Sequence, residues 1–153
     1  MFISETVIDA VVQSLETADF EAEVAVFAER QSVLMDYLMS EDFELLMQDE
    51  RELMLYIMLV LWKSVEQATG KTCAPLSHKA LENAEERNWE RLDHVTAKRF
   101  RDRMDVFFQD YDQEDLLAFV EDNLVEDDDS TVTKEGREPM FVALKSVIDV
   151  LTI

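Results

Sequence analysis

Residues Leu53–Trp62 read Leu-Met-Leu-Tyr-Ile-Met-Leu-Val-Leu-Trp, ten residues without a charge or an amide. No other part of the chain is like it, and the remaining segments have to cover it. Its flanks predict a helix. Asp49 stands at an N-cap position and Glu52 follows three residues later, the spacing of a capping box. Gly70 stands where a helix C-cap is expected. The predicted helix covers about 50–69 and is roughly 30 Å long. A helix that is apolar all round lies inside a protein or inside a membrane. Ten apolar residues are too few for a bilayer, which needs about 20. The charged run Asp49–Glu52 on one side, with Lys63 and Glu66 on the other, leaves no room to extend the stretch. It is therefore expected at the centre of a bundle.

Working outward, the flanking segments show helical spacing. Ser4 and Asp19 stand as N-caps of two helices joined by a short turn, one carrying Val7, Ile8, Val11, Val12 and Leu15 and the other Phe20, Val24, Phe27, Leu34, Met35 and Leu38, with Gln31 in the seam. Ser40 begins a short third helix with Phe43, Leu46 and Met47 on its apolar face. Lys71–Leu76 reads as a loop, and Ser77 caps a polar helix. A break near Asp93–Thr96 lets Thr96 cap the next helix; one long helix to about Asp110 is the competing reading. Asp112, with Asp115 three residues on, caps a helix bearing Leu116, Leu117, Val120 and Leu124. Glu126–Gly136 reads as a polar loop, and Pro139 suits the first turn of a last helix with Phe141, Leu144, Ile148 and Leu151 on one face. Two glycines and two prolines in 153 residues supply too few breakers for the turns of an all-β fold. The expected architecture is a single all-α domain over 1–153, a bundle of six or seven helices around the buried central helix.

The net charge of −21 is unevenly laid out. Residues 1–60 hold 14 acids and 2 bases, residues 61–109 hold 8 acids and 9 bases, and residues 110–153 hold 13 acids and 3 bases. Such a surface repels nucleic acid and anionic lipid, so neither direct nucleic-acid binding nor membrane association is expected. The single cysteine, Cys73, cannot form an internal disulfide, and the first residues lack the pattern of a signal peptide. A cytoplasmic location is expected.

Three constellations bear on chemistry. His78, Glu82, Glu86, Glu90 and His94 recur every four residues, which on a helix brings neighbours within reach. Imidazole and carboxylate are divalent-metal ligands, so Glu86, Glu90 and His94 are the candidate metal site. The stripe rotates by about 40° per step, which keeps all five from facing one ion. Asp127, Asp129, Thr131, Thr133, Glu135 and Glu138 fall at the ligand positions of a calcium loop, but Val132 stands where glycine is needed. A second count through Asp110, Asp112, Glu114 and Glu121 meets Asp115 at the same position. Arg87, Arg91, Lys98, Arg99, Arg101 and Arg103 form a basic cluster, able to hold a phosphate, a carboxylate or an acidic partner, or to balance the two acidic ends internally. The methionines Met35, Met39, Met47, Met54 and Met58 belong by default to core packing, although methionine also lines adaptable binding surfaces.

No catalytic residue and no resident cofactor is identified. The expected function is a non-enzymatic protein-interaction or assembly module, with a protein partner or self-association. Two alternatives compete with it: an enzyme using a carboxylate–histidine divalent-metal site, and an acidic nucleic-acid mimic that blocks a DNA-binding protein.

Overall fold

The computed structural model describes residues 1–125 and 132–153, and these form one all-α bundle of eight helices. In chain order they are α1 (Glu5–Thr17), α2 (Phe20–Arg30), α3 (Ser32–Leu38), α4 (Gln48–Thr69), α5 (His78–Asp93), α6 (Phe100–Phe108), α7 (Glu114–Leu124) and α8 (Lys134–Leu151). A 3₁₀ turn at Glu41–Phe43 precedes α4.

The apolar stretch does what its composition requires. Met54 and every residue from Ile57 to Trp62 are buried, so α4 is covered on all sides along two turns. Gly70 ends it in the left-handed conformation (φ 67°), which glycine adopts without a Cβ clash. The start differs from expectation. The N-cap is Met47, not Asp49, and the Glu50 carboxylate reaches back to the Met47 N–H at 2.9 Å. The reason is tertiary. Buried Glu50 also accepts from the Thr133 N–H (3.0 Å) and the Thr133 hydroxyl (2.9 Å) at the head of α8. One carboxylate thus serves the N-termini of two helices, and the start of α4 shifts to place it there.

The helix count rises to eight, and a second helix shares the centre. All residues from Met140 to Ile148 are buried, and α8 packs on α4, α5 and α7. The sequence pattern gives α8 a single apolar face because Lys145 and Ser146 interrupt the run, yet both are inside. Helix α8 begins at Lys134, capped by the Thr133 side chain, so Pro139 lies inside it and not in its first turn. Helix α1 packs on α4 and α7 packs on α8, and the two also touch each other; α3 lies against α4, and α2 reaches it through Phe27 and Glu23.

Other ends also move when tertiary partners intervene. Asp19 and Ser77 cap α2 and α5 as expected. The N–H of Glu5 is capped by Asp115 of α7 at 2.9 Å, not by Ser4. Asp112 is not the cap of α7, which starts from Gln113, whose amide is buried between Met1 and Ile3 and accepts from the Ile3 N–H. The chain does break after Asp93, but α6 begins at Phe100 from Arg99 and not from Thr96. Gln31 ends α2 instead of continuing it. Fully buried, it donates to the Ala74 carbonyl (3.0 Å) and accepts from the Leu76 N–H (3.1 Å), fastening the 71–76 loop. A buried indole N–H usually finds an acceptor, but the Nε1 of buried Trp62 meets none among the described residues. The ring is seated edge-on to Phe27 at 5.5 Å in apolar surroundings, and packing decides its position. No helix of the described residues is long and apolar enough to cross a membrane.

Candidate functional site

The basic cluster divides in two. Arg87 and Arg91 stand on α5 beside Glu90, Asp93 and His94, lining an open pocket of about 600 Å³. Arg91 donates to the Val106 carbonyl at 2.7 Å and lies over the Phe107 ring. Lys98, Arg99, Arg101 and Arg103 line a different pocket, of about 590 Å³, at the head of α6. Sequence reasoning missed two of its cations, Lys134 and Arg137, because they arrive from α8. Only the docking of α8 against α6 and α7 brings them there.

Within this second pocket the cations differ in how they are engaged. Arg103 is fully used. It forms a two-pronged pair with Glu138 (3.0 Å for each bond) and donates to the Val95 and Ala97 carbonyls, so it fastens the 94–99 segment to α8. Arg101 bonds Glu121 at 3.2 Å. Burial pushes the Glu121 carboxyl above its ordinary range, and Arg101 offsets only part of that. Arg137 lies across the Phe100 ring, 5.3 Å from its centre. Lys98, Arg99 and Lys134 are exposed and join no ion pair among the described residues. The internal-balance reading therefore accounts for Arg101 and Arg103 and leaves three cations over.

The metal stripe does not assemble. Glu86, Glu90 and His94 are all exposed, and Glu86 is not in the pocket that Glu90 and His94 share with Arg87 and Arg91. Among the described residues no three His, Cys, Asp or Glu side chains are placed to hold a metal ion. The helical rotation separates the ligands, and two guanidinium groups occupy the space beside them. Of the first calcium-loop count, Asp127, Asp129 and Thr131 lie outside the described residues. Thr133 and Glu138 are committed to Glu50 and Arg103. The second count falls on the start of α7, with Glu121 turned to Arg101. Cys73 is half-buried, and burial together with Glu66 pushes its thiol up, away from the reactive thiolate.

The methionines divide too. Met54 and Met58 are fully buried, whereas Met39 and Met47 are 67% and 59% exposed. Met35, Leu38, Met39, Leu46 and Leu55 line a surface groove of about 440 Å³ between α3 and the first turns of α4. Leu45, adjacent to the lining residue Leu46, is 99% exposed. Glu52 stands in the groove wall, and Asp36, Glu41, Glu44 and Asp49 are exposed in the same segment. Arg51, also in the wall, is held by two hydrogen bonds to the Phe43 carbonyl. Period-based reasoning assigns Met47 and Leu46 to one buried face. The 3₁₀ turn ends at Phe43 instead, Leu46 is buried beyond it, and Met47 stands exposed as the N-cap of α4.

A buried polar cluster completes the inventory. Lys145 donates to Asn88 (3.0 Å) and to both oxygens of Asp149 (3.1 and 3.0 Å), while Tyr111 donates to Asp149 at 2.6 Å. Asn88 also donates to Ser146 at 2.9 Å. Burial lowers the Lys145 ammonium and raises the Tyr111 phenol well above its ordinary range. Every polar group in the cluster is bonded within it, and it ties α5, α8 and the α6–α7 turn together. Comparison of the chain with protein-family models, curated proteins and solved structures returns no match.

Proposed function

We propose that this chain is a protein-interaction module that receives a basic amphipathic helix in the groove between α3 and α4. The observation that supports this reading is the apolar groove itself. Met39, Leu45 and Met47 stand exposed where a fold of this size has core to spare, and methionine adapts its shape to a partner. The occupant follows from charge. Residues 35–55 carry seven acids and one base, Arg51, which is already engaged with Phe43. An apolar floor with an acidic surround suits leucine-type anchors at i, i+4 spacing with lysine or arginine around them. A second copy seated face to face would oppose acid to acid, so self-association through this groove is disfavoured.

The test uses two synthetic helical peptides with the same leucine face, one otherwise lysine-rich and one glutamate-rich. The lysine peptide is expected to bind saturably, to weaken with salt, and to lose roughly tenfold or more in affinity to a Met39→Asp/Leu45→Asp variant. Equal binding of the two peptides, or equal binding by wild type and variant, overturns the proposal. Both substituted side chains are exposed, so the variant keeps its core.

A further inference from the structure

We infer that the pocket at the head of α6 is a binding site for a compact phosphoryl anion, a phosphate ester or diphosphate carrying at least two negative charges. Six cationic side chains line it, from a chain that has 14 lysines and arginines in all. Among the described residues the one lining carboxylate is Glu138, which Arg103 already holds in both oxygens, and Arg137 is itself engaged. In a protein of net charge −21, collecting cations against their mutual repulsion has a cost that an anion would relieve. The positions suit that role. Lys98, Arg99 and Lys134 are exposed and join no ion pair among the described residues, and they come from two elements, the segment before α6 and the first turn of α8.

The first turn of α6 adds to them. Its N-cap is Arg99, which offers no side-chain acceptor, so the amide groups there receive no cap from a side chain. Residues 99–101, where that turn begins, line the pocket. Phe100 gives the floor an aromatic face. The charge layout also sets the size of the ligand. Charges further apart than about 8 Å are largely screened at physiological salt, so a small anion feels mainly the local cations. A polyanion such as a nucleic acid would run from the pocket onto Glu121, Asp122 and the acidic ends of the chain. Arg101, paired with Glu121 and close to Asp122, marks that boundary.

The probe is inorganic pyrophosphate, titrated into the full chain by calorimetry at constant ionic strength. Saturable binding is expected. A Lys98→Ala/Arg99→Ala/Lys134→Ala variant is expected to bind roughly ten- to a hundredfold more weakly, and a Lys63→Ala/Lys71→Ala variant, altered away from the pocket, to bind as wild type does. Glycerol phosphate in a parallel arm distinguishes an ester from a diphosphate preference. A response that grows without saturation, or that the pocket variant gives as strongly as wild type, overturns the inference. Unchanged circular dichroism of the pocket variant establishes that a loss of binding is not a loss of fold.

Discussion

Lys145 shows how much one side chain can demand of a fold. Burying an ammonium is costly unless it is paired and hydrogen-bonded, and here Asp149, Asn88 and the faces of Tyr111 and Phe107 surround it. Removing the carboxylate while leaving the ammonium inside is expected to cost about 3–5 kcal/mol. Asp149→Ala should lose that much in urea unfolding, and Lys145→Met/Asp149→Leu should recover most of it. Glu121 makes the complementary case. Its folded carboxyl titrates above the ordinary range because it is buried. Its contribution to stability is therefore fully present below the ordinary carboxylate range and is lost as pH rises through the raised value. Thermal midpoints of wild type and Glu121→Gln, measured from about pH 4 to pH 7, should diverge in favour of the variant as pH rises. Parallel curves would show that Arg101 cancels the burial cost.

Among the elements, α4 and α8 carry the bundle, and their N-termini meet through Glu50 and Thr133. Gly136 lies there without a side chain, because a Cβ would run into the Glu50 carboxylate and Leu46. Gly136→Ala, which in an open helix would gain about 1 kcal/mol from propensity, is expected to destabilise instead, and chemical denaturation gives the sign directly. Leu59, fully buried in the middle of α4, should cost about 2–5 kcal/mol on truncation to alanine. Leu55, half-exposed in the groove, should cost much less. That contrast separates the side of α4 that holds the core from the side available to a partner. The opening stretch was legible because ten apolar residues between charged flanks admit one explanation. The run in α8 was less so, since Lys145, Ser146 and Pro139 disguise a helix that is buried through nine consecutive residues.

At the scale of the whole molecule, charge and topology work against each other. The two acidic ends of the chain meet, through Asp115 at the head of α1 and Gln113 against Met1, and α1 packs on α7. Their repulsion is screened by salt, so the thermal midpoint should rise as sodium chloride is added from about 0.01 M to 0.15 M. A flat or falling curve would mean that internal ion pairs such as Arg103–Glu138 outweigh the repulsion. The six basic candidates belong to two pockets for a topological reason. The break after Asp93 leaves Arg87 and Arg91 on α5 and puts the other four at the head of α6, so the two groups line different pockets.

The sequence by itself determined the class of fold, the central place of α4, its glycine stop, the caps at Asp19 and Ser77, and the uneven charge. Each rests on local facts: periodicity, a missing Cβ, a side-chain acceptor next to a helix start. Only the tertiary structure decided the rest. Met47 replaced Asp49 as the N-cap and Glu50 replaced Glu52 as the carboxylate that reaches back, because the second partner of Glu50 is 83 residues away at Thr133. Lys134 and Arg137 joined Lys98 and Arg99 because α8 docks beside α6. Met39 and Met47 stayed outside while Met54 and Met58 went in. Spacing along one helix assigns a residue to a face, but whether that face is covered depends on elements elsewhere in the chain, and that is settled only when they pack.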